Sequence, residues 1–275
     1  AEDIHLIGLN THFRSTILGA MLAVDVQAGD IIKISNTLLI KDGAQILTEG
    51  IFGDGGDISI KTNTLLLQDG GQVNANTLNI GKGGNIKVEA EDIQLIGESK
   101  DGSPSGLFII SDPDSTGDAG ESLDIKTNTL LVKDGAEVNA STFGEGKGGN
   151  IKVEAEDIQL IDSNLDITTL QATAENAGSL NIKTNTLLLQ DGSKVTTGSD
   201  NNAGLRAGDI NIEAQDIQLI DSSLNTNSSG RKADAGDLNI KTNTLLLQDG
   251  AQINTTAVGG KPGSLTVNAE DIQLI

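Results

Sequence analysis

One phrase returns along this chain almost letter for letter, and self-similarity at a fixed period restricts a chain to a stack of like units. Ile-Lys-Thr-Asn-Thr-Leu-Leu followed by Asp-Gly stands at 60–70, 125–135, 182–192 and 240–250, with a worn copy at 34–43. A second phrase, Ala-Glu-Asp-Ile-Gln-Leu-Ile, stands at 90–96, 155–161 and 269–275, with variants at 2–7 and 214–220. Aligned on the glycine that precedes them, the coils start at Gly29, Gly56, Gly84, Gly120, Gly149, Gly178, Gly208, Gly236 and Gly263. Successive starts lie 27, 28, 36, 29, 29, 30, 28 and 27 residues apart, so both phrases fill the same place in one coil of about 28 residues. They alternate, apart from two Lys-Thr-Asn-Thr type coils in a row at 29–83.

Within a coil the apolar residues sit two apart in three short runs, the period of a strand and not of a helix. From Gly149, Ile151 and Val153, then Ile158 and Leu160, then Leu165 and Ile167 point one way, while Lys152, Glu154, Gln159 and Asp166 point the other. Three strands with short polar corners predict an all-β parallel β-helix, a solenoid of about nine to ten three-stranded coils. In such a stack each strand pairs with the same strand one coil on, about 4.8 Å away. One outward position tests the register: it reads Lys61, Glu89, Lys126, Glu154, Lys183, Glu213, Lys241 and Asn268 in consecutive coils. Opposed unlike charges contribute about 0.2–1 kcal/mol per pair, whereas like charges would destabilise the stack. Lys87, Asp124 and Lys152 are expected to repeat the device two residues earlier.

Composition suits this architecture and removes several functions. Each coil contacts only its neighbours, so 275 residues can extend a thin aliphatic core without dividing into globular domains. There is no Cys, hence neither a disulfide frame nor a thiolate metal site. The formal charge of −21 would repel phosphate backbones and excludes nucleic acid as a direct partner. The longest apolar run, 17–24, is too short to cross a bilayer, so membrane insertion is not expected.

The departures from the repeat mark the candidate sites. The coil from Gly84 is the long one, and its excess falls in 98–118 with Pro104, Pro113 and Leu107-Phe108-Ile109-Ile110, expected as a projecting loop or an irregular third strand. Residues 1–28 read as a degenerate first coil or a covering segment before the array at 29–275. Asp42, Asp69, Asp134, Asp162, Asp191, Asp221 and Asp249 precede the second corner, with Gly97 breaking the series. Stacked carboxylates could attract calcium, but Asp-Gly and Asp-Ser are first of all turn formers. Gly53-Asp54-Gly55-Gly56-Asp57 has a calcium-roll flavour without the recurring nonapeptide.

A polysaccharide-active β-helix enzyme is the main alternative, and it would need a base or a calcium site beside a cation. Arg14, Arg206 and Arg231 are the only arginines and lie outside the repeated strands, while His5 and His12 stand alone. The Thr-Asn-Thr tripeptides starting at Thr62, Thr127, Thr184 and Thr242 suggest the Thr rows of ice-binding solenoids, but acidic phrases interrupt them in alternate coils. The sequence therefore offers no catalytic, cofactor-binding or metal-binding residues, and a non-enzymatic role is expected. The absence of a Leu-x-x-Leu-x-Leu frame and of Trp sets aside leucine-rich repeats and WD-type propellers.

Gly148-Gly149-Asn150-Ile151-Lys152-Val153-Glu154-Ala155, Leu130-Leu131-Val132-Lys133-Asp134-Gly135-Ala136-Glu137-Val138 and Ala140-Ser141-Thr142-Phe143-Gly144-Glu145-Gly146 resemble the repeats of filamentous-haemagglutinin-type exoproteins, especially the large cyanobacterial ones. The resemblance covers about residues 29–275. It implies a right-handed parallel β-helix, export through an outer-membrane partner in the two-partner route, and an adhesive or filament-forming role at the cell surface. Cell-surface glycans, matrix or sister filaments are the implied partners. The Asn-Pro-Asn-Gly type signatures of that family's secretion domain are not in this sequence, so the chain resembles part of the shaft. Both ends fall within a repeat phrase, which suggests a fragment of a longer array whose open coil ends would favour end-to-end joining.

Overall fold

The computed structural model describes residues 3–7, 16–21, 31–170, 177–199 and 205–275. Those residues form strands and connections only, and no helix among them is long and apolar enough to cross a membrane. The strands stack in parallel as a β-solenoid of about eight turns, slightly fewer than the expected nine to ten.

A representative coil runs Asn150–Glu154, Asp157–Ile161 and Asn164–Thr169, and the next runs Leu180–Lys183, Thr186–Gln190 and Lys194–Ser199. First strand pairs with first, second with second and third with third: Val153 with Ile182, Leu160 with Leu189, Leu165 with Val195. First and second strands belong to one 17-stranded sheet because the bend between them is gentle. Indeed Ile31–Lys41 and Ile58–Gln68 cross that bend as single strands. The third strands make a separate sheet of nine. Inward aliphatics pile on their equivalents, so that Leu65, Ile93, Leu130, Ile158, Leu187 and Ile217 are all at most 1% exposed. Full burial of each such side chain contributes about 1.5–3 kcal/mol.

Each corner closes by its own chemistry. At the first, Thr184 is buried and its hydroxyl lies 2.9 Å from the carbonyl oxygens of both Glu156, one coil back, and Thr186. At the second, the recurring Asp takes the left-handed conformation every time, with φ of 54°, 50°, 57°, 48°, 55°, 45° and 54° from Asp42 to Asp249. Gly97, the exception in sequence, does the same at 73°. Where Gly follows Asp, a second positive φ completes a tight turn, as in the Ala136 N–H to Lys133 carbonyl bond of 3.2 Å. Where Ser follows, its hydroxyl ties the corner to the coil behind: Ser163 Oγ donates to the Val132 carbonyl at 3.0 Å.

The third corner explains the glycines on which the repeat aligns. Thr197, Thr226 and Thr255 donate hydroxyl bonds to the carbonyls of Gly208, Gly236 and Gly263 at 2.6, 2.6 and 2.8 Å, drawing the backbone inward. Successive glycines then stack so closely that a Cβ on Gly208 would lie 1.7 Å from the Gly178 carbonyl oxygen, and one on Gly236 1.8 Å from that of Gly208.

The long coil from Gly84 keeps a regular third strand. Gly106–Phe108 pairs in register with Gln72–Thr77 on one side and Glu137–Asn139 on the other, and Leu107 and Ile109 enter the core. Most of the excess is a small excursion at the second corner, closed by the antiparallel bridge of Glu98 with Pro104. Upstream of the array, Asp3–Ile7 pairs with Thr37 to Lys41 in the second-strand column, and Thr16–Met21 pairs with Gln45–Gly50 in the third.

A glycine test follows from this geometry. Gly208→Ala is expected to lower stability by about 1–3 kcal/mol, the cost of overpacking a close approach. Gly250→Asn, at φ 79° with nothing within 4 Å of an added Cβ, is expected to cost much less, since Asn tolerates the left-handed region. Denaturant unfolding of both variants measures the contrast.

Candidate functional surface

The outward charge row lies over the first strands in the expected register. Lys61 pairs with Glu89, Glu89 with Lys126, Lys126 with Glu154, Glu154 with Lys183, Lys183 with Glu213, and Glu213 with Lys241. Ion pairs close between coils at Lys61–Glu89 (3.5 Å), Lys183–Glu213 (4.0 Å) and Lys241–Glu213 (3.0 Å). The earlier column behaves differently from the expectation. Although Asp124 stands in register between Lys87 and Lys152, both lysines bond instead to the glutamate two residues on along their own strand, Glu89 and Glu154, each at 2.8 Å. These glutamates are the residues that flank Lys126, which has no ion pair within 4.0 Å among the described residues.

Beside the charges runs a row of amides: Asn211 Nδ2 donates to Asn181 Oδ1 at 3.1 Å and Asn239 Nδ2 to Asn211 Oδ1 at 3.0 Å. Together the two rows line a shallow open groove of about 430 Å3 between Lys152 and Asn268, with a second depression of about 420 Å3 over Lys61, Glu89 and Lys126. Hydrogen bonding and attraction from Lys87 hold the Glu89 carboxyl below its usual range, Lys152 does the same for Glu154, and Lys241 for Glu213. Carboxylates held ionised in this way are poor proton donors near neutrality, where a general acid must keep its proton.

The carboxyl groups displaced upward lie on the third face. Burial raises the Glu137 carboxyl, partly offset by a 2.7 Å bond from Asn139 Nδ2, and burial also raises Asp166, which accepts from Thr168 Oγ1 at 2.9 Å. Glu49 and Asp112 are raised too, each by burial first and then by a neighbouring acid, Asp112 for Glu49 and Asp114 for Asp112. Alternation alone places Glu137 and Asp166 outward. Their burial depends on how neighbouring coils close over them, which periodicity does not encode.

The other sequence candidates take structural places. The Asp row is a row of left-handed corners, as turn chemistry required. Asp54 and Asp57 accept backbone N–H bonds from Lys82 and Asn85 of the next coil at 2.8 and 2.7 Å, so the calcium-like stretch acts as a clasp. The same clasp recurs at Asp209 to Asp237 and Asp237 to Ser264, both 2.7 Å. The first threonine of each Thr-Asn-Thr, at Thr62, Thr127, Thr184 and Thr242, is buried at the first corner, while the second is exposed at Thr129, Thr186 and Thr244 and lies in register with Asp92, Asp157 and Asp216 of the alternate coils. His5 is exposed and pairs in register with Leu39, while His12 and Arg14 lie outside the described residues.

Arg206 has a role that the sequence reading did not assign. Its guanidinium bridges two coils, Nη1 to Asp209 at 2.7 Å and Nη2 to Asp237 at 2.8 Å, between carboxylates that would otherwise stack like on like. The Ser264 N–H and hydroxyl first, and Arg206 after them, hold the Asp237 carboxyl low. The excess of acids spaced one coil apart was the available signal. Among the described residues no three of His, Cys, Asp and Glu converge to hold a metal ion.

Two measurements probe these electrostatics. Lys183→Glu sets a carboxylate in register between Glu154 and Glu213 and should cost about 0.2–1 kcal/mol per like-charge pair, less at high salt; unfolding at low and high ionic strength reads it. For Glu137 the folded-state pKa is raised, so the folded chain holds that proton more tightly and stability falls as pH rises from the unfolded value of about 4.3 through the folded one. Glu137→Gln is therefore expected to raise the melting temperature at neutral pH, with the gain vanishing below about pH 4. No family model, curated protein or solved structure matches this chain, so its function has to follow from these side chains and their geometry.

Proposed function

We propose that this chain is a non-enzymatic, rod-like segment of an extracellular surface protein, a shaft that spaces or presents binding surfaces in an adhesin or filament. The observation that carries the proposal is the unbroken register. From Lys61 to Asn268 the first strand of each coil pairs in register with that of the last, and the outward charges of the first face balance one another along the axis. Such a stack spends its polar groups on holding coils together. Corner Thr hydroxyls, Asp carboxylates and the Arg206 guanidinium all bond from coil to coil.

The first-face groove favours a scaffold over a catalyst, because its acids are ionised and matched by lysines. The likeness of residues 29–275 to filamentous-haemagglutinin-type repeats supports secretion through an outer-membrane partner and display at the cell surface. Glycans, matrix proteins or sister filaments are the partners such a shaft would meet. The outward threonines Thr129, Thr186 and Thr244 alternate with Asp92, Asp157 and Asp216, which speaks against an ice-binding surface.

About eight turns at about 4.8 Å per turn give a rod about 40 Å long. Small-angle scattering of the isolated segment should return that axial dimension. Immobilised on arrays of glycans and matrix proteins, the segment should bind one class saturably if it is adhesive, and none if it only spaces. Release of sugar from any polysaccharide offered would contradict the proposal, as would a melting temperature that collapses with chelator, which would make calcium integral to the rod.

A further inference from the structure

The second face carries a pattern that the rod itself does not need. In the Lys-Thr-Asn-Thr coils its two central outward positions hold Leu and then Lys or Gln, as in Leu131 with Lys133 and Leu188 with Gln190. In the alternate coils the same positions hold Gln and then Ile, as in Gln94 with Ile96 and Gln159 with Ile161. Register sets Leu131 beside Gln94 and Gln159, which leaves Ile96 and Ile161 as its diagonal neighbours. Diagonal pairs lie about 7–8 Å apart, within reach of long side chains. Leu and Ile thus trace a zigzag along the rod from Leu66 through Ile220 to Leu246, each half-buried and not sealed into the core.

Acids border this zigzag on both sides. On one side Asp157 and Asp216 accept the hydroxyls of Thr186 and Thr244 at 2.5 and 2.6 Å, and Thr129 bonds Asp92 in the same way. On the other side lie the exposed left-handed corners, Asp69, Asp134, Asp162, Asp191 and Asp221. Among the described residues, lysines of the chain itself meet this second row at Lys41–Asp42 (3.6 Å) and Lys133–Asp134 (3.3 Å). An apolar stripe between two rows of carboxylates, on a chain of net charge −21, repels a second copy and any anionic surface. It complements an apolar stripe bordered by cations.

We infer that the second face docks a basic amphipathic polypeptide, its apolar side chains seated on the Leu–Ile zigzag and its Lys or Arg side chains on the flanking Asp rows. This inference does not depend on where the rod is displayed.

The test uses the whole 275-residue chain and a fluorescent synthetic peptide of alternating Leu and Lys at physiological ionic strength. The combined variant Leu131→Gln, Leu188→Gln and Leu246→Gln places at each site the residue that the neighbouring coils already carry there, so the coil can accommodate it. A second variant, Ile161→Gln with Ile220→Gln, attacks the same stripe from the other column, and the unfolding temperature of each confirms the stack. Saturable binding by anisotropy is expected, weakened about tenfold or more in both variants, the loss expected when central apolar anchors are removed. Poly-lysine and a Leu-Ser peptide should each bind at least about tenfold more weakly than the Leu-Lys peptide. Absence of binding to the unaltered chain, unchanged binding by both folded variants, or poly-lysine binding as tightly as the Leu-Lys peptide would overturn the inference.

Discussion

Everything in this molecule depends on equivalent residues of successive coils meeting across one parallel ladder step. A parallel ladder admits no side-chain choice that fails to suit its own copies above and below. Aliphatics therefore stack on aliphatics, as Leu130, Ile158 and Leu187 do, and on the first face outward charges alternate in sign, as Lys183 does between Glu154 and Glu213. The alternation of two phrases along the sequence is the record of that requirement.

The corners meet the same constraint with backbone chemistry. A left-handed Asp or Gly at every second corner, and a glycine too crowded for a Cβ at every third, keep each turn congruent with the next. Where two Asp carboxylates would stack, Arg206 reaches across both, and where Asp57 meets Asn85 the carboxylate takes up a backbone N–H. Side chains that look like surface decoration in one coil act as clasps between two.

The stacking was legible in the sequence because charge alternation reports register directly, and the Asp row was legible because a turn residue marks its own conformation. Three features were less so. Leu107-Phe108-Ile109 was expected to be loop or irregular strand because the coil length changes there, yet the excess sits at the corner before it and the strand keeps register, with the Phe108 ring lying over Gly106. Lys87 and Lys152 turn along their own strands to Glu89 and Glu154, because a partner two residues away on the same face competes with one across the ladder. The outward Leu and Ile of the second face follow strand alternation faithfully, but their continuity needs the diagonal geometry of two columns, which a single coil does not display.

The most direct measurement of the account is cross-linking between chosen coils, made clean by the absence of any native cysteine. Asn181 and Asn211 are ladder partners one coil apart, and Asn239 lies one coil further on. A disulfide spans Cα atoms about 4.4–6.8 Å apart. The double substitution Asn181→Cys with Asn211→Cys should therefore oxidise readily to an internal disulfide, while Asn181→Cys with Asn239→Cys should stay reduced. Failure of the first pair to cross-link while the second does so would contradict the stack, and with it the rod and both of its faces.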